Sequence, residues 1–328
     1  MTEVLDAKRT GALERAAALL RAGELVGVPT ETVYGLAGNA LNEVTVAKIF
    51  VVKERPTFDP LIVHVGSNTD AEVIVERGVL RQPPIPELIS RFWPGPLTLL
   101  LPKTERIPDI VTAGSTDVAV RCPSHPTIRR LLRVCGFPLA VPSANRFGRI
   151  SPTSASAVQS ELDGRIPLIL DGGATPVGIE STIVQVTEGR ITILRPGPIT
   201  VEMLAAFAPI REEATPKYGV VPGSLPSHYA PRKPLFLVHS PEGISDGERS
   251  GLLAWKREPG NVIFRAVRVL SSEADLTEAA ANLFRFLREL DEQPIERIYA
   301  EHVPEIGIGR AIMNRLQRAS TGWEKEQT

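Results

Sequence analysis

Cysteine is almost absent: Cys122 and Cys135 are the only two in 328 residues. Their spacing makes neither a disulfide framework nor a paired metal-ligand motif, so a reducing compartment and two half-buried thiols are expected. Aromatic residues are scarce at 5%, and neither sign of charge is in excess, with a formal net charge of −1 and a pI near 6.6. Such a balance gives no global field for nucleic acid or an anionic membrane, and any anion site must be a local gathering of cations. No apolar run approaches the ~20 residues of a membrane span. The N-terminal MTEVLDAKRTGALERAAALLRAG lacks the continuous apolar region of a signal peptide and reads as a tail plus an amphipathic helix. A soluble cytoplasmic protein is expected.

Several signatures of chemistry are missing too. There is no G-x-x-x-x-G-K-[ST], no G-x-S-x-G, no H-E-x-x-H and no C-x-x-C, and the five histidines, His64, His125, His228, His239 and His302, are scattered. An ordinary P-loop ATPase, a serine hydrolase and a zinc hydrolase are all disfavoured, and no protein-held metal is expected.

The length fits domains of ~100–200 residues each, so two are expected. Apolar residues at Leu13, Ala16, Ala17 and Leu20 have helical spacing, and Gly23 supplies a stop. A second helix spans about 42–53, capped by Asn42, with Val44, Ala47 and Ile49 to Val51 directed to a core. Strands are predicted at ELVGVP, LIVHV, 97–101, 117–121, 138–142, 166–170, 182–186 and 191–194, with helices near 86–92 and 125–135. The last two strands form a hairpin about Thr187 to Arg190. The pattern predicts an α/β domain with a mixed twisted open sheet over residues 1–208. Residues 209–234, rich in proline and without periodicity, read as a linker and a possible lid. Beyond them, LFLV, a helix at about 275–290, IERIYA and a helix at about 307–318 predict a second, smaller α/β domain over 235–328. The tail EKEQT reads as frayed.

The polar residues cluster at strand exits, where open α/β sheets place ligands. PTETVYGLAG carries Thr30, Glu31, Thr32 and Tyr34. It reads either as a capped turn before a short helix or as a ligand loop that Gly35 and Gly38 open to close approach. KERPTFDPLIVH sets Lys53 and Arg55 before a proline-stiffened turn with Asp59, then His64 on an apolar run. VPSANRFGRISPTSA offers Ser143, Asn145 and Ser151 beside Arg146 and Arg149, as phosphate-binding loops do. Arg121 closes DVAVR, Ser181 and Thr182 close GGATPVGIEST, and Arg195 opens RPGPIT. Arginines so placed can grip carboxylate or phosphate in bidentate fashion. Cations, hydroxyls and tight turns suit an anionic substrate held by position and charge without a covalent nucleophile.

Taken in order, PTETVYGLAG, KERPTFDPLIVH, FWPGPLTLLL, VAVRCP, PSANRFGRISPT, GIEST and LRPGPIT resemble the YrdC-like threonylcarbamoyl-AMP synthase family over about residues 10–205. PGSLPSHYAP and the unit after it resemble the longer, two-domain form. The resemblance implies a YrdC-like fold and a nucleotidyltransferase that uses L-threonine, bicarbonate and ATP with Mg²⁺. Its product would feed a tRNA-modifying transferase complex, with tRNA a further contact. It places threonine on Thr32, His64, Arg121 and Ser181. It places ATP on Lys53, Arg55, Asp59, Ser143, Asn145, Ser151, Arg195, His228 and Tyr229, with Lys53 and Arg55 catalytic and His228 and Tyr229 in a lid. The family usually carries asparagine at Asp59 and threonine at Asp117, and residues Ser224 to Ser227 lack its basic and aromatic types. Two acids near a polyphosphate would repel it. Competing readings are a non-catalytic RNA-binding protein of the same fold and a related carbamoyl-transferring enzyme with another substrate.

Overall fold

A computed structural model describes residues 1–211, 222–223 and 228–321. Most of the expected linker, including Ser224 to Ser227, and the tail EKEQT lie outside the described residues. The chain forms two compact units. The first comprises Met1–Phe147, Pro152–Pro176 and Glu180–Ser224, and the second Gly148–Ser151, Val177–Ile179 and Leu225–Thr328.

In the first unit the strands are β1 (Glu3–Asp6), β2 (Val26–Val28), β3 (Gly35–Asn39), β4 (Ile62–His64), β5 (Leu97–Pro102) and β6 (Asp117–Arg121). They continue with β7 (Leu139–Ala140), β8 (Leu168–Asp171), β9 (Thr182–Thr187), β10 (Arg190–Arg195) and β11 (Ile210–Arg211). Among the described residues they make one 11-stranded sheet in the order β1-β8-β2-β3-β7-β4-β6-β5-β9-β10-β11. Parallel and antiparallel pairings are mixed in it: β1, β8 and β2 run parallel, while β3 pairs antiparallel with β2 and β7, and β7 with β4. Further along, β4 runs parallel to β6, β6 antiparallel to β5, and β5 parallel to β9. The expected mixed sheet is therefore present.

Helices α1 (Ala12–Arg21), α2 (Glu43–Lys53), α3 (Asn68–Glu72), α4 (Ile85–Phe92), α5 (Asp109–Thr112), α6 (Pro126–Cys135), α7 (Ala155–Leu162) and α8 (Val201–Ala205) complete this unit. Leu13 and Leu20 of α1 join Ile128 and Leu131 of α6 in one core, against Val28, Leu139 and Leu170 of the sheet. Ile49 of α2, Leu88 of α4 and Val158 of α7 join Leu99, Val120 and Ile169 in another. Helices thus bury apolar stripes at 3.6-residue spacing against strands that are apolar on both faces.

Three expectations change. Val44 and Val51 are 70% and 75% exposed, because the buried stripe of α2 is Thr45, Val46, Ile49, Phe50 and Lys53, and its period turns those two valines outward. The N-terminal tail is strand β1, paired parallel to β8 and tied down by Thr2, whose Oγ1 donates to Ile166 O at 2.7 Å. GLAGN is strand β3, not a turn before a helix, paired antiparallel to β2 and β7. A Cβ on Gly35 would lie 2.2 Å from Val141 Cγ1, so this glycine serves close strand packing and not the approach of a ligand.

The second unit has a 4-stranded, all-parallel sheet in the order β12-β15-β13-β14, from β12 (Leu235–Val238), β13 (Ser250–Ala254), β14 (Ala266–Val269) and β15 (Arg297–Glu301). Helices α9 (Leu276–Asp291) and α10 (Gly309–Ser320) belong to it, α9 burying Leu283, Phe284 and Leu287. This is the smaller α/β unit foreseen, with β13 and β14 added. No helix among the described residues is long and apolar enough to cross a membrane. Cys122 and Cys135 are free thiols, and both are buried rather than half-buried.

Candidate functional site

Thr30 organises the loop between β2 and β3. Its Oγ1 donates to Val33 O at 2.6 Å and accepts from Thr32 N at 3.1 Å, a local turn that competes with continued strand. Thr32 Oγ1 lies 2.8 Å from Thr30 Oγ1 and accepts from Arg121 Nη1 at 3.0 Å. Arg121 ends β6, and its side chain also donates to Gly95 O at 3.3 Å and to Glu31 Oε1 at 2.6 Å. Both members of that ion pair are buried. Burial works to raise the Glu31 carboxyl, but the Arg121 charge, its hydrogen bond and the N–H groups of Glu31 and Ser124 outweigh burial and hold it below its ordinary value.

His64 ends β4, in register with Arg121 on β6. Burial, and then the Arg121 charge, push its pKa down to about 3, so the ring is neutral at ordinary pH. Among the described residues neither His64 ring nitrogen has a hydrogen-bond partner, and neither has Glu31 Oε2. Buried polar atoms are rarely left so, and here three lie beside one guanidinium.

Across the β5–β6 ladder Thr98 faces Arg121. Thr98 Oγ1 lies 2.7 Å from Ser181 Oγ. Arg195, at the end of β10, donates from Nη2 to Ser181 Oγ at 3.0 Å, from Nε to Ser181 O at 3.1 Å and from Nη1 to Pro222 O at 3.0 Å. The structure therefore brings Thr32, His64, Arg121 and Ser181 together, with Arg195 beside Ser181. The sequence placed Glu31 at a strand exit, as a capping or ligand-facing residue, without its pairing to Arg121, and assigned Thr98 no role. The one available signal for Thr98 was a lone hydroxyl inside the apolar run LTLLL.

Lys53 and Arg55 lie at the C-terminal end of α2, which Glu54 closes in the left-handed conformation. Lys53 is buried and its Nζ donates to Ser143 O at 2.5 Å and to Asn145 O. Burial, then the Arg55 charge, holds the ammonium well below the usual lysine range, although Asp59 and Glu161 pull the other way. Arg55 donates from Nε to Asp59 O at 3.0 Å and from Nη2 to Pro60 O at 2.7 Å. Its Nη2 also lies 2.9 Å from Asp59 Oδ1, a buried ion pair. Burial raises the Asp59 carboxyl despite the fields of Arg55, Lys53 and Arg195, and the last of these links this cluster to the first. Asp59 is therefore a buried, charge-compensated group, not a stray loop acid. Asp117 opens β6, at the end opposite Arg121, and accepts from Gln185 Nε2 at 3.1 Å.

Ser143 is half-buried, and Asn145 donates from Nδ2 to Arg146 O at 2.7 Å. Ser151, His228 and Tyr229 belong to the second unit, where all three are buried. Among the described residues no group of three or more His, Cys, Asp or Glu could hold a metal ion.

The class of protein defined so far is an α/β protein that gathers fixed cations, hydroxyls and one neutral imidazole at the strand ends of a mixed sheet. Comparison with known proteins narrows it. Residues 18–197 match the family model described as "Telomere recombination", and residues 199–321 match "Threonylcarbamoyl-AMP synthase, C-terminal domain". Threonylcarbamoyl-AMP synthase of Bacillus subtilis is 41% identical, covering 94% of this chain and 93% of its own length. That of Pyrococcus abyssi is 39% identical, with 93% of each covered. The crystal structure of Pyrococcus abyssi Sua5 complexed with L-threonine superposes with a TM-score of 0.87 at 37% identity, covering 97% of this chain and 98% of that one. The chain belongs to the threonylcarbamoyl-AMP synthase family, in its two-domain form.

Proposed function

We propose that the protein makes threonylcarbamoyl-AMP and pyrophosphate from L-threonine, bicarbonate and ATP. The observation that carries this reading is the buried Arg121, Thr32, His64 and Ser181 constellation, with its unsatisfied polar atoms, in a chain matched almost end to end by threonylcarbamoyl-AMP synthases.

Threonine brings a carboxylate, an amine and a hydroxyl. Arg121 has N–H groups beyond those used by Glu31, Thr32 and Gly95, and these suit the carboxylate. Neutral His64 offers one donor and one acceptor, which suits a hydroxyl that also does both. Thr32 and Ser181 complete this side. The threonine amine and bicarbonate condense to a carbamate with loss of water. A carbamate oxygen then attacks the α-phosphorus of ATP, and the bond to the bridging oxygen of pyrophosphate breaks. Free carbamate decays in water, so the buried setting serves both alignment and protection.

We assign ATP to Lys53, Arg55, Asp59, Ser143, Asn145, Ser151, Arg195, His228 and Tyr229. Arg55 supplies fixed positive charge where the phosphates gain negative charge, and Lys53 a buried amine whose protonation the triphosphate would favour. Mg²⁺ arrives as part of the nucleotide substrate. The labile product passes to a transferase complex that modifies tRNA, in the cytoplasm, where ATP and tRNA are found together.

The test is to incubate purified protein with MgATP, bicarbonate and a panel of amino acids and to measure pyrophosphate. Release is expected with threonine and bicarbonate together and with neither alone. No release in the complete mixture, combined with tight RNA binding, would replace the enzyme with a non-catalytic RNA-binding protein.

A further inference from the structure

The loop between β2 and β3 holds one carboxylate whose two oxygens are used unequally. Glu31 Oε1 accepts from Arg121 Nη2 at 2.6 Å, whereas Glu31 Oε2, equally buried, has no hydrogen-bond partner among the described residues. Against burial, the Arg121 charge and its hydrogen bond hold this carboxyl below its ordinary value, so it is ionised at neutral pH. An ionised carboxylate can only accept, and a buried acceptor calls for a donor.

The charges around it are fixed and balanced. Arg121 and Glu31 cancel, and His64, which feels the fields of both, is neutral because burial first and Arg121 second disfavour its charged form. Arg121 donates from Nε to Gly95 O, from Nη1 to Thr32 Oγ1 and from Nη2 to Glu31 Oε1. One N–H remains on each of Nη1 and Nη2, the number that a carboxylate takes in a bidentate contact. A ligand that brought only a negative charge would leave this buried cluster with a net charge, which is costly to keep out of water. A ligand that carries both signs a few ångströms apart would leave it neutral. All of these residues belong to the first unit.

We propose that Glu31 is a specificity-determining residue of the amino-acid site: its Oε2 accepts from the α-ammonium group of the substrate while Arg121 takes the carboxylate, so the site reads a zwitterion and turns away carboxylates that lack the amine. This rests on the assignment of threonine to Thr32, His64, Arg121 and Ser181. The Glu31–Arg121 pair is then a template of opposite polarity for the two charges of the amino acid. Asp59, the buried acid of the other cluster, lies 2.9 Å from Arg55 among the residues assigned to ATP, which leaves Glu31 for the amine. A site built to bond a substrate N–H discriminates strongly against an analogue without it, because its own buried group is then left unpaired.

The test measures calorimetrically, on the full-length protein, the affinities of L-threonine and of (R)-3-hydroxybutanoate, which is threonine with hydrogen in place of the amine. The native protein should prefer threonine by about a hundredfold or more. Glu31→Gln keeps the size of the side chain and an acceptor oxygen but removes the charge, leaving a positive cluster that suits the monoanion. The ratio of the two affinities should fall by about tenfold or more. Glu31→Asp keeps the charge one methylene further back and should give a ratio between the two. If Glu31→Gln weakens both ligands equally while the native protein binds threonine, Glu31 only supports Arg121, and the proposal is overturned while the threonine site stands. If the native protein binds no threonine, the site assignment fails and the proposal falls with it. Where circular dichroism shows that Glu31→Gln does not fold, the ratio in Glu31→Asp decides: a ratio below the native one supports the amine contact, and the native ratio overturns it.

Discussion

His64 gives a direct test of the electrostatics of the cluster. Its pKa falls from 6.5 to about 3 because burial, and then Arg121, disfavour the charged ring, while Glu31 opposes them less strongly. The unfolded chain takes up a proton near pH 6.5, whereas the folded one does so only near pH 3. Between these values the unfolded state binds more protons, so this group's contribution to stability is complete above the upper value and is lost as pH falls. Going from pH 7 to pH 5 should cost about 2 kcal/mol through His64 alone. His64→Gln removes the titration and keeps a polar side chain of similar reach. Urea unfolding of both proteins at the two pH values, followed by tryptophan fluorescence, measures the effect. The native protein should lose about 2 kcal/mol more than the variant over this interval. Other acid-sensitive groups, such as the half-buried His125 with its lowered pKa, are common to both and cancel. Equal losses would show that His64 is hydrated or partnered in the folded state, and the argument from its unsatisfied nitrogens would collapse.

The carboxylate of Asp59 lies in the field of Arg55, Lys53 and Arg195, and burial raises its pKa in spite of them. Asp59→Asn should tighten ATP binding by about 1 kcal/mol, since one negative charge near the triphosphate is removed; a weaker or unchanged Kd would place the phosphates elsewhere. Gly35→Ala would set a Cβ 2.2 Å from Val141 Cγ1 and 3.3 Å from Pro142 O. It should cost about 1–3 kcal/mol in urea unfolding through overpacking, and native-like stability would show that β3 can move away from that strand.

Legibility in the sequence followed the range of the physical signal. Helix α2 could be read from Asn42, whose side chain accepts from Thr45 N, and the β9–β10 hairpin from two alternating runs about a short turn. Both are local effects. Strand β3 could not be read that way, because GLAGN has poor strand propensity and is held by neighbours on both sides. In α2 apolar residues fall on every side of the helix and hide which face is buried, so that the expected core positions Val44 and Val51 are exposed. At the site, Arg121, His64 and Ser181 were legible as strand-end residues. That Glu31 would pair with Arg121 was not, since the two lie 90 residues apart and only the β2–β3 loop brings them together.

The division of the chain into units also bears on the order in which the protein is completed during synthesis. Gly148–Ser151 and Val177–Ile179 are made long before the rest of their unit. Ile150 waits a further 138 residues for Arg288, which at ribosomal speed is roughly ten seconds. During that interval strands β8, β9, β10 and β11 are added to the first sheet, while the Gly148–Ser151 and Val177–Ile179 loops still lack their partners from α9. Helix α10 follows α9 in the chain and supplies Arg318 O, which accepts from the His228 N–H, so the His228 segment gains this partner only after both helices exist. A chain interrupted before α10 would carry every strand of the first sheet while segments held by the second unit still lacked partners.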